Sequence, residues 1–363
     1  HGRGGQGGKE GVVRDFRLYE GEWIGKLPQN ELEDAVLSKA RRLLRASTLA
    51  GPAVGEDAAI VDLGSCVLVA HADPITEASF NIGPLAVDVA ANDVAVKGAR
   101  PSWAIVVVLM PPGSLLSSLA ALMEGISAEA ERLGIEIVGG HTESAPSVSR
   151  PVVVVTVFGC ACRSCFRRTS DARPGDLVYQ VGHVAKEATA IIATDFRREA
   201  QEAGVGEEEL EEASKMARDV SVVEYALRLA EEGVVSSMHD LTEGGLIGGL
   251  YEVALASGSE AYIDADRVPI HPVTRRVFEA LGLDPLAAMS SGSFIATVPP
   301  ELRDRAEAVL RSLGVEFSLI GYLSEASGRP LVKLRRQGRI EVYDSQPEDA
   351  IAILWSRRRA SAP

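Results

Sequence analysis

Ala90-Ala-Asn-Asp-Val-Ala-Val-Lys-Gly-Ala-Arg-Pro101 closes a helix expected over Ile82 to Val96. That segment is so rich in alanine and valine that it belongs against a sheet, not at a surface. Asn92 and Asp93 sit in its middle, and a buried, unpaired aspartate is costly, so Asp93 should meet a cation or hydrogen-bond donors. Reading outward, Ala58 to Leu63 and Cys66 to His71 precede it as strands, and the strand Trp103 to Met110 follows. Leu115, Leu119, Leu122, Met123, Ile126 and Ala130 recur at helical spacing over 115–133, and Gly134 ends that helix. Ile135 to Val138 and Val152 to Phe158 complete an α+β unit with an order near ββαβαββ.

A turn-rich stretch, Arg163 to Asp176, with the turn signal Arg173-Pro-Gly-Asp176, separates this unit from a second one. The second opens on a strand at Leu177 to Val181. Helices are expected over 185–198, 207–232, 244–257 and 300–313, and strands over 294–298 and 316–323. The very acidic run Glu207-Glu-Glu-Leu-Glu-Glu212 reads as a solvated helical face. The expected organisation is a mobile N-terminal segment 1–25, domains 26–172 and 173–345, and a tail 346–363.

A chain of 363 residues fits this two-domain count, at roughly 150 residues per domain. It is 46% hydrophobic and 24% charged, so it is globular, neither disordered nor fibrous. The longest apolar run, Pro151 to Phe158, is far too short for a membrane span. No basic stretch leads into an apolar one at the start, so a soluble, cytoplasmic protein is expected. The 37 basic and 51 acidic residues leave a charge of −14, which disfavours binding to a nucleic-acid backbone. It leaves nucleotide binding open, since a metal ion can supply local positive charge.

No Gly-x-Ser-x-Gly elbow, Walker sequence or dinucleotide fingerprint is present. Acidic residues instead gather at element boundaries of the first half: Gly55-Glu-Asp-Ala-Ala59, Ala72-Asp-Pro74, Asn92-Asp93 and Gly139-Gly-His-Thr-Glu143. Glu56-Asp57 also reads as a turn and Asp73-Pro74 as a strand-ending cap. Gly139-Gly140 at a strand end would let backbone N–H groups approach an anion. Hard oxygen ligands beside such groups suit Mg²⁺ on nucleotide phosphates. Cys160-Ala-Cys-Arg-Ser-Cys165 reads as reduced thiols, with a disulfide and a metal site as alternatives.

Taken in order, these first-half motifs resemble the ATP-binding half of the aminoimidazole ribonucleotide (AIR) synthase superfamily, the PurM-like fold. His239-Asp-Leu-Thr-Glu-Gly-Gly245, and the segment from Asp284-Pro285 to Ser290-Ser-Gly-Ser293, resemble its C-terminal signature. The match spans about residues 26–335 and is most similar to the hydrogenase maturation branch, HypE and its archaeal relatives.

The resemblance implies an N-terminal α+β domain whose strands pair across a homodimer into a β-barrel, and a three-layer α/β/α C-terminal domain. It implies an ATP- and Mg²⁺-dependent enzyme that phosphorylates a carbonyl, amide or acid oxygen, with ATP in the dimer cleft. Asp57 and Asp93 would hold Mg²⁺, helped by Asp73 and Asn92. Gly140, His141, Thr142 and Glu143 would meet phosphates or line the reacting end, with His141 a candidate base. Asp240 and Glu243 would face the substrate. Carbamoyl-dehydrating members carry their substrate on a C-terminal cysteine, whereas this sequence ends Ala-Ser-Ala-Pro363. Either the sequence stops short of that cysteine or the chemistry differs. The expectation is therefore a free small-molecule substrate or a maturation partner protein, with a non-catalytic nucleotide-binding scaffold, or a kinase- or ligase-type member acting on a free small molecule, as alternatives.

Overall fold

Valine- and isoleucine-rich strands build two sheets in the computed structural model of the protein, which describes residues 27–360 except Pro28 and Glu77. The segment 1–25 and residues 361–363 lie outside the described residues. In the first half the strands are β1 (Thr48–Ala50), β2 (Ala59–Asp62), β3 (Val67–Ile75), β4 (Arg100–Met110), β5 (Glu136–Ser144) and β6 (Val152–Ala161). They form one six-stranded sheet in the order β1-β2-β3-β6-β4-β5, antiparallel except between β4 and β5.

Strand alternation sends Val153, Val155 and Val157 of β6 into a sealed core, under the helices Ile82–Val96 and Leu116–Leu133. The opposite face is open within one chain and carries exposed Trp103, Ile105 and Val138. Among the described residues this sheet is open, with edges β1 and β5.

The second half adds β7 (Leu177–Val181), β8 (Ser237–Asp240), β9 (Ser259–Asp264), β10 (Phe294–Val298), β11 (Phe317–Glu325), β12 (Leu331–Arg336) and β13 (Arg339–Tyr343). Their order is β13-β12-β9-β11-β7-β10-β8, with only β9 and β12 parallel. Both faces are covered. Val178, Ile295 and Ile320 pack with Leu246 and Leu250 of the helix Gly245–Ser257. Tyr179, Val181, Phe294 and Ala296 face the opposite core, shared with the helices Lys186–Asp195 and Val223–Glu231. That is a three-layer α/β/α arrangement.

Several elements depart from the sequence reading. The helix expected over 207–232 is broken into Glu207–Lys215, a short 3-10 turn and Val223–Glu231. The break has a partner: Asn92 Nδ2 donates to Val220 O at 2.8 Å, and Val222 N donates to Asn92 Oδ1 at 2.8 Å. Backbone bound to Asn92 is lost to a helical ladder. The helix expected over 185–198 stops at Asp195 and resumes as Arg197–Glu202. The strand expected at Ile135 to Val138 runs on to Ser144, and β3 runs through Asp73-Pro74 to Ile75.

The segment 346–363, read as a tail, carries the helix Ala350–Ala360, with Ile351 and Leu354 buried. Arg358 anchors it, donating to Glu199 at 2.8 Å and stacking 4.1 Å over Phe196. Cys162 and Cys165, expected as thiols, form a disulfide, while Cys66 and Cys160 remain thiols.

Candidate active site

The helix Ile82–Val96 lies between its own sheet and the second domain, and every residue except Ile82 and Pro84 is buried. Its last turns place Asp93 at the domain junction, with Lys97 just beyond the helix end. β3 brings His71 and Asp73 to the same place, and the loop before β2 brings Glu56 and Asp57. From the second domain, β8 supplies His239 and Asp240, and the helix Gly245–Ser257 supplies Glu252. Gly55 is essential to this approach. Its φ is +82°, and a Cβ there would stand 2.7 Å from Glu252 O.

The charges behind Asp57 form a closed chain. Lys97 Nζ lies 2.7 Å from Asp57 Oδ2 and donates to Thr169 Oγ1 at 2.5 Å. His239 Nδ1 lies 2.5 Å from Asp57 Oδ1, and its Nε2 lies 2.9 Å from Glu252 Oε2. Burial alone would raise the Asp57 carboxyl, but His239 and Lys97 outweigh it and hold the group well below the usual carboxylate range. Burial likewise opposes charge on His239, yet Asp57 and Glu252 push its imidazolium up to about 10. Lys97 loses to burial and gains more from Asp57 and Glu56, so it stays an ammonium. Glu56 in turn accepts from the N–H groups of Thr169 and Ser170, each at 3.1 Å.

In front of this chain, oxygen atoms of Asp57, Asp93 and Asp240 lie within 4.8 Å of one another, and a second set, His71, Asp73 and Asp93, shares Asp93. His71 Nε2 is 3.2 Å from Asp93 Oδ2. Asp240 Oδ2 is buried and makes no hydrogen bond. Burial, then the charges of Asp93 and Asp57, push its carboxyl well above the usual range. Converging carboxylates with one orphaned oxygen fit a hard divalent cation such as Mg²⁺. They line a cavity of about 230 Å³ whose described lining holds many carboxylates but neither lysine nor arginine.

Of the residues singled out from sequence, Asp57, Asp73, Asp93, Asp240 and Glu243 line this one cavity. Asn92 does not. Both ends of its amide bond the second domain's backbone, so it is a strut between domains and not a ligand of anything in the cavity. Gly140, His141, Thr142 and Glu143 are also elsewhere. They lie exposed on the edge strand β5, with His141 Nε2 3.2 Å from Glu143 Oε2. Thr142 and Glu143 line a separate shallow pocket at the end of β4.

Gly140 serves strand pairing, since a Cβ there would stand 2.1 Å from Val106 O. From sequence alone, Gly139-Gly140 is expected to end a strand and offer N–H groups to an anion. The ladder with β4, continuous to Ser144, is what removes it from the cavity. The reading missed Lys97, His71, His239 and Glu252. For Lys97 a signal existed: a second charge one turn after Asp93, in a helix with almost no other polar residue.

Residues 55–161 match the model of the AIR synthase related protein N-terminal domain, and residues 173–332 match that of its C-terminal domain. The chain is 26% identical over 360 residues to a selenide, water dikinase of Photorhabdus laumondii, covering 89% of this chain and 98% of the relative. It is 31% identical over 246 residues to a carbamoyl dehydratase HypE of Azotobacter vinelandii, covering 66% of this chain and 69% of the relative. Among solved structures, the hydrogenase maturation protein HypE in complex with ATP superposes with a TM-score of 0.67 at 23% identity. That alignment covers 87% of this chain and 91% of the HypE chain.

Proposed function

Because the chain belongs to the AIR synthase-related family, we propose that it is a Mg-ATP-dependent enzyme that activates an oxygen of its acceptor by phosphorylating it. The observation that carries this reading is the convergence of Asp57, Asp93 and Asp240, from three separate elements, within 4.8 Å at the domain junction. HypE, which shares this fold, binds ATP. The carbamoyl dehydratase relative suits activation of an oxygen that is then lost, while the dikinase relative is named for the acceptors selenide and water.

In this reading Asp57, Asp93 and Asp240 hold Mg²⁺, with Asp73 and His71 available to a second ion. The bound cation supplies the positive charge that a triphosphate needs in a cavity lined by carboxylates. The chain's own residues preorganise that position. Lys97 and His239 keep Asp57 ionised and fixed, Glu56 locks the Thr169–Ser170 turn beneath Lys97, and Asn92 fixes the helix bearing Asp93. Asp240 and Glu243 face the acceptor from the second domain.

His141 and Glu143 cannot reach this cavity in their own chain. We assign them to the cleft of a second copy, joined through the open face bearing Trp103, Ile105 and Val138 and the edge strand β5. The acceptor is a small molecule or a group presented by a partner protein.

Calorimetric titration with Mg²⁺ and a non-hydrolysable ATP analogue tests the reading. Asp93→Asn is expected to abolish binding while the far-ultraviolet spectrum is unchanged, and wild-type affinity in the variant would refute the metal assignment. Incubation with Mg-ATP and acceptor should release phosphate. Nucleotide binding without any turnover would point instead to a scaffold.

A further inference from the structure

One wall of the cavity is not used by the metal position. Glu187 opens the helix Lys186–Asp195 and is only 4% exposed, yet its Oε2 makes no hydrogen bond. Ser291 stands beside it, 1% exposed, with an Oγ that is also unpartnered. Both line the cavity, together with Glu243, whose backbone carbonyl accepts from Gln346 Nε2 at 2.8 Å. Leaving a buried acceptor without a donor is costly, and a carboxylate costs more than a neutral group. The Ser291 hydroxyl is a neighbouring donor, yet Glu187 Oε2 has no hydrogen-bond partner among the described residues, and a cavity lies in front of it. Burial pushes the Glu187 carboxyl up to about 7, the Ser291 hydroxyl pulls it down, and Glu243, Asp349 and Asp73 add to the rise.

We infer that Glu187, Ser291 and Glu243 form the acceptor subsite and select an acceptor carrying a protonated amine or amidinium rather than a second anion. This deepens the phosphoryl-transfer reading and rests on it for the word acceptor. The cation's N–H groups would meet Glu187 Oε2 and Ser291 Oγ, a charge-assisted contact on two nearly fully buried side chains. An anionic acceptor would instead face Glu187, Glu243 and Asp240; the described lining holds no lysine or arginine, and the His239 imidazolium is already engaged by Asp57 and Glu252. Glu187 belongs to neither convergent ligand set, so this demand is separate from the metal's.

The test uses the full chain and four probes: ethylammonium, acetamidinium, acetate and inorganic phosphate. Binding is followed by magnetisation transfer or line broadening, with and without Mg²⁺ and the ATP analogue. Both cations should bind saturably and compete with each other, and neither anion should displace them. Glu187→Gln should weaken cation binding by about tenfold while leaving the affinity for the ATP analogue within about twofold. Ser291→Ala should weaken it less, and guards against a folding defect in the first variant. Cations that fail to bind the wild-type chain, cations that bind Glu187→Gln equally well, or anions that displace them would each overturn the subsite. Cation binding that persists while the ATP analogue fails to bind would uphold the subsite and defeat the phosphoryl-transfer reading alone.

Discussion

Replacing Lys97 by methionine should cost the protein about 3 kcal/mol of stability. Lys97 is fully buried, and its ammonium lies 2.7 Å from Asp57 Oδ2. At that distance the attraction is about 6 kcal/mol with an effective dielectric near 20. Desolvating both charges offsets most of this, so the pair as formed contributes little. Removing one partner is different. Methionine matches the volume but leaves Asp57 and Glu56 buried with less counter-charge, and such breaks cost about 3–5 kcal/mol.

The lower end applies because His239 still holds Asp57 at 2.5 Å. Against a total of about 5–15 kcal/mol, the loss should be plain in urea unfolding followed by far-ultraviolet circular dichroism. The double variant Lys97→Met with Asp57→Asn should recover part of the loss, since the nearer stranded carboxylate is gone while Glu252 still holds His239. A single-variant loss below about 1 kcal/mol, or no recovery in the double variant, would refute the buried-charge chain.

In metal-free protein, His239 makes stability fall on the alkaline side. Its folded value of about 10 exceeds the ordinary histidine value of 6.5, so its contribution is complete below 6.5, declines between the two and is gone above about 10. Urea midpoints across that range should fall more steeply in wild type than in His239→Gln, and parallel slopes would refute the assignment. Gly55→Ala forces a side chain into φ +82° and against Glu252 O, which should cost about 1–3 kcal/mol and weaken Mg-ATP binding by displacing Asp57; calorimetry on a stably folded variant with unchanged affinity would count against the loop's role. Sedimentation should give twice the monomer mass, and Ile105→Glu on the open face should yield monomers that no longer turn over; active monomers would exclude a cleft completed by a second copy.

The helix Ile82–Val96 was legible to the residue because its composition is apolar on every side. β6 was legible because a run of valines has few other uses. β8 and β9 were not, since Ser237–Asp240 and Ser259–Asp264 are short and carry charged or polar side chains that become buried only when the second sheet assembles. The site divides the same way. Asp57, Asp93 and Asp240 announced themselves as carboxylates beside apolar segments. Lys97, His239 and Glu252 acquire meaning only from Asp57, which the fold brings to them across up to 195 positions of chain, the separation of residues 57 and 252. The strut role of Asn92 and the length of the strand carrying His141 were illegible for a shared reason: what an amide or imidazole touches depends on strand length and helix breaks that local sequence does not fix.

The helix Ile82–Val96 also sets an order of events during synthesis. Its apolar surface is covered partly by its own sheet and partly by the segment that includes Val220 and Val222, which leaves the ribosome much later. A nascent chain that has released only the first sheet therefore exposes a sticky helix and an unclosed sheet face together. Stalled chains ending near residue 200 should be cut by protease within residues 82–96, and chains that have released residue 240 should resist. Equal resistance in both would mean that the first domain closes its core without the second.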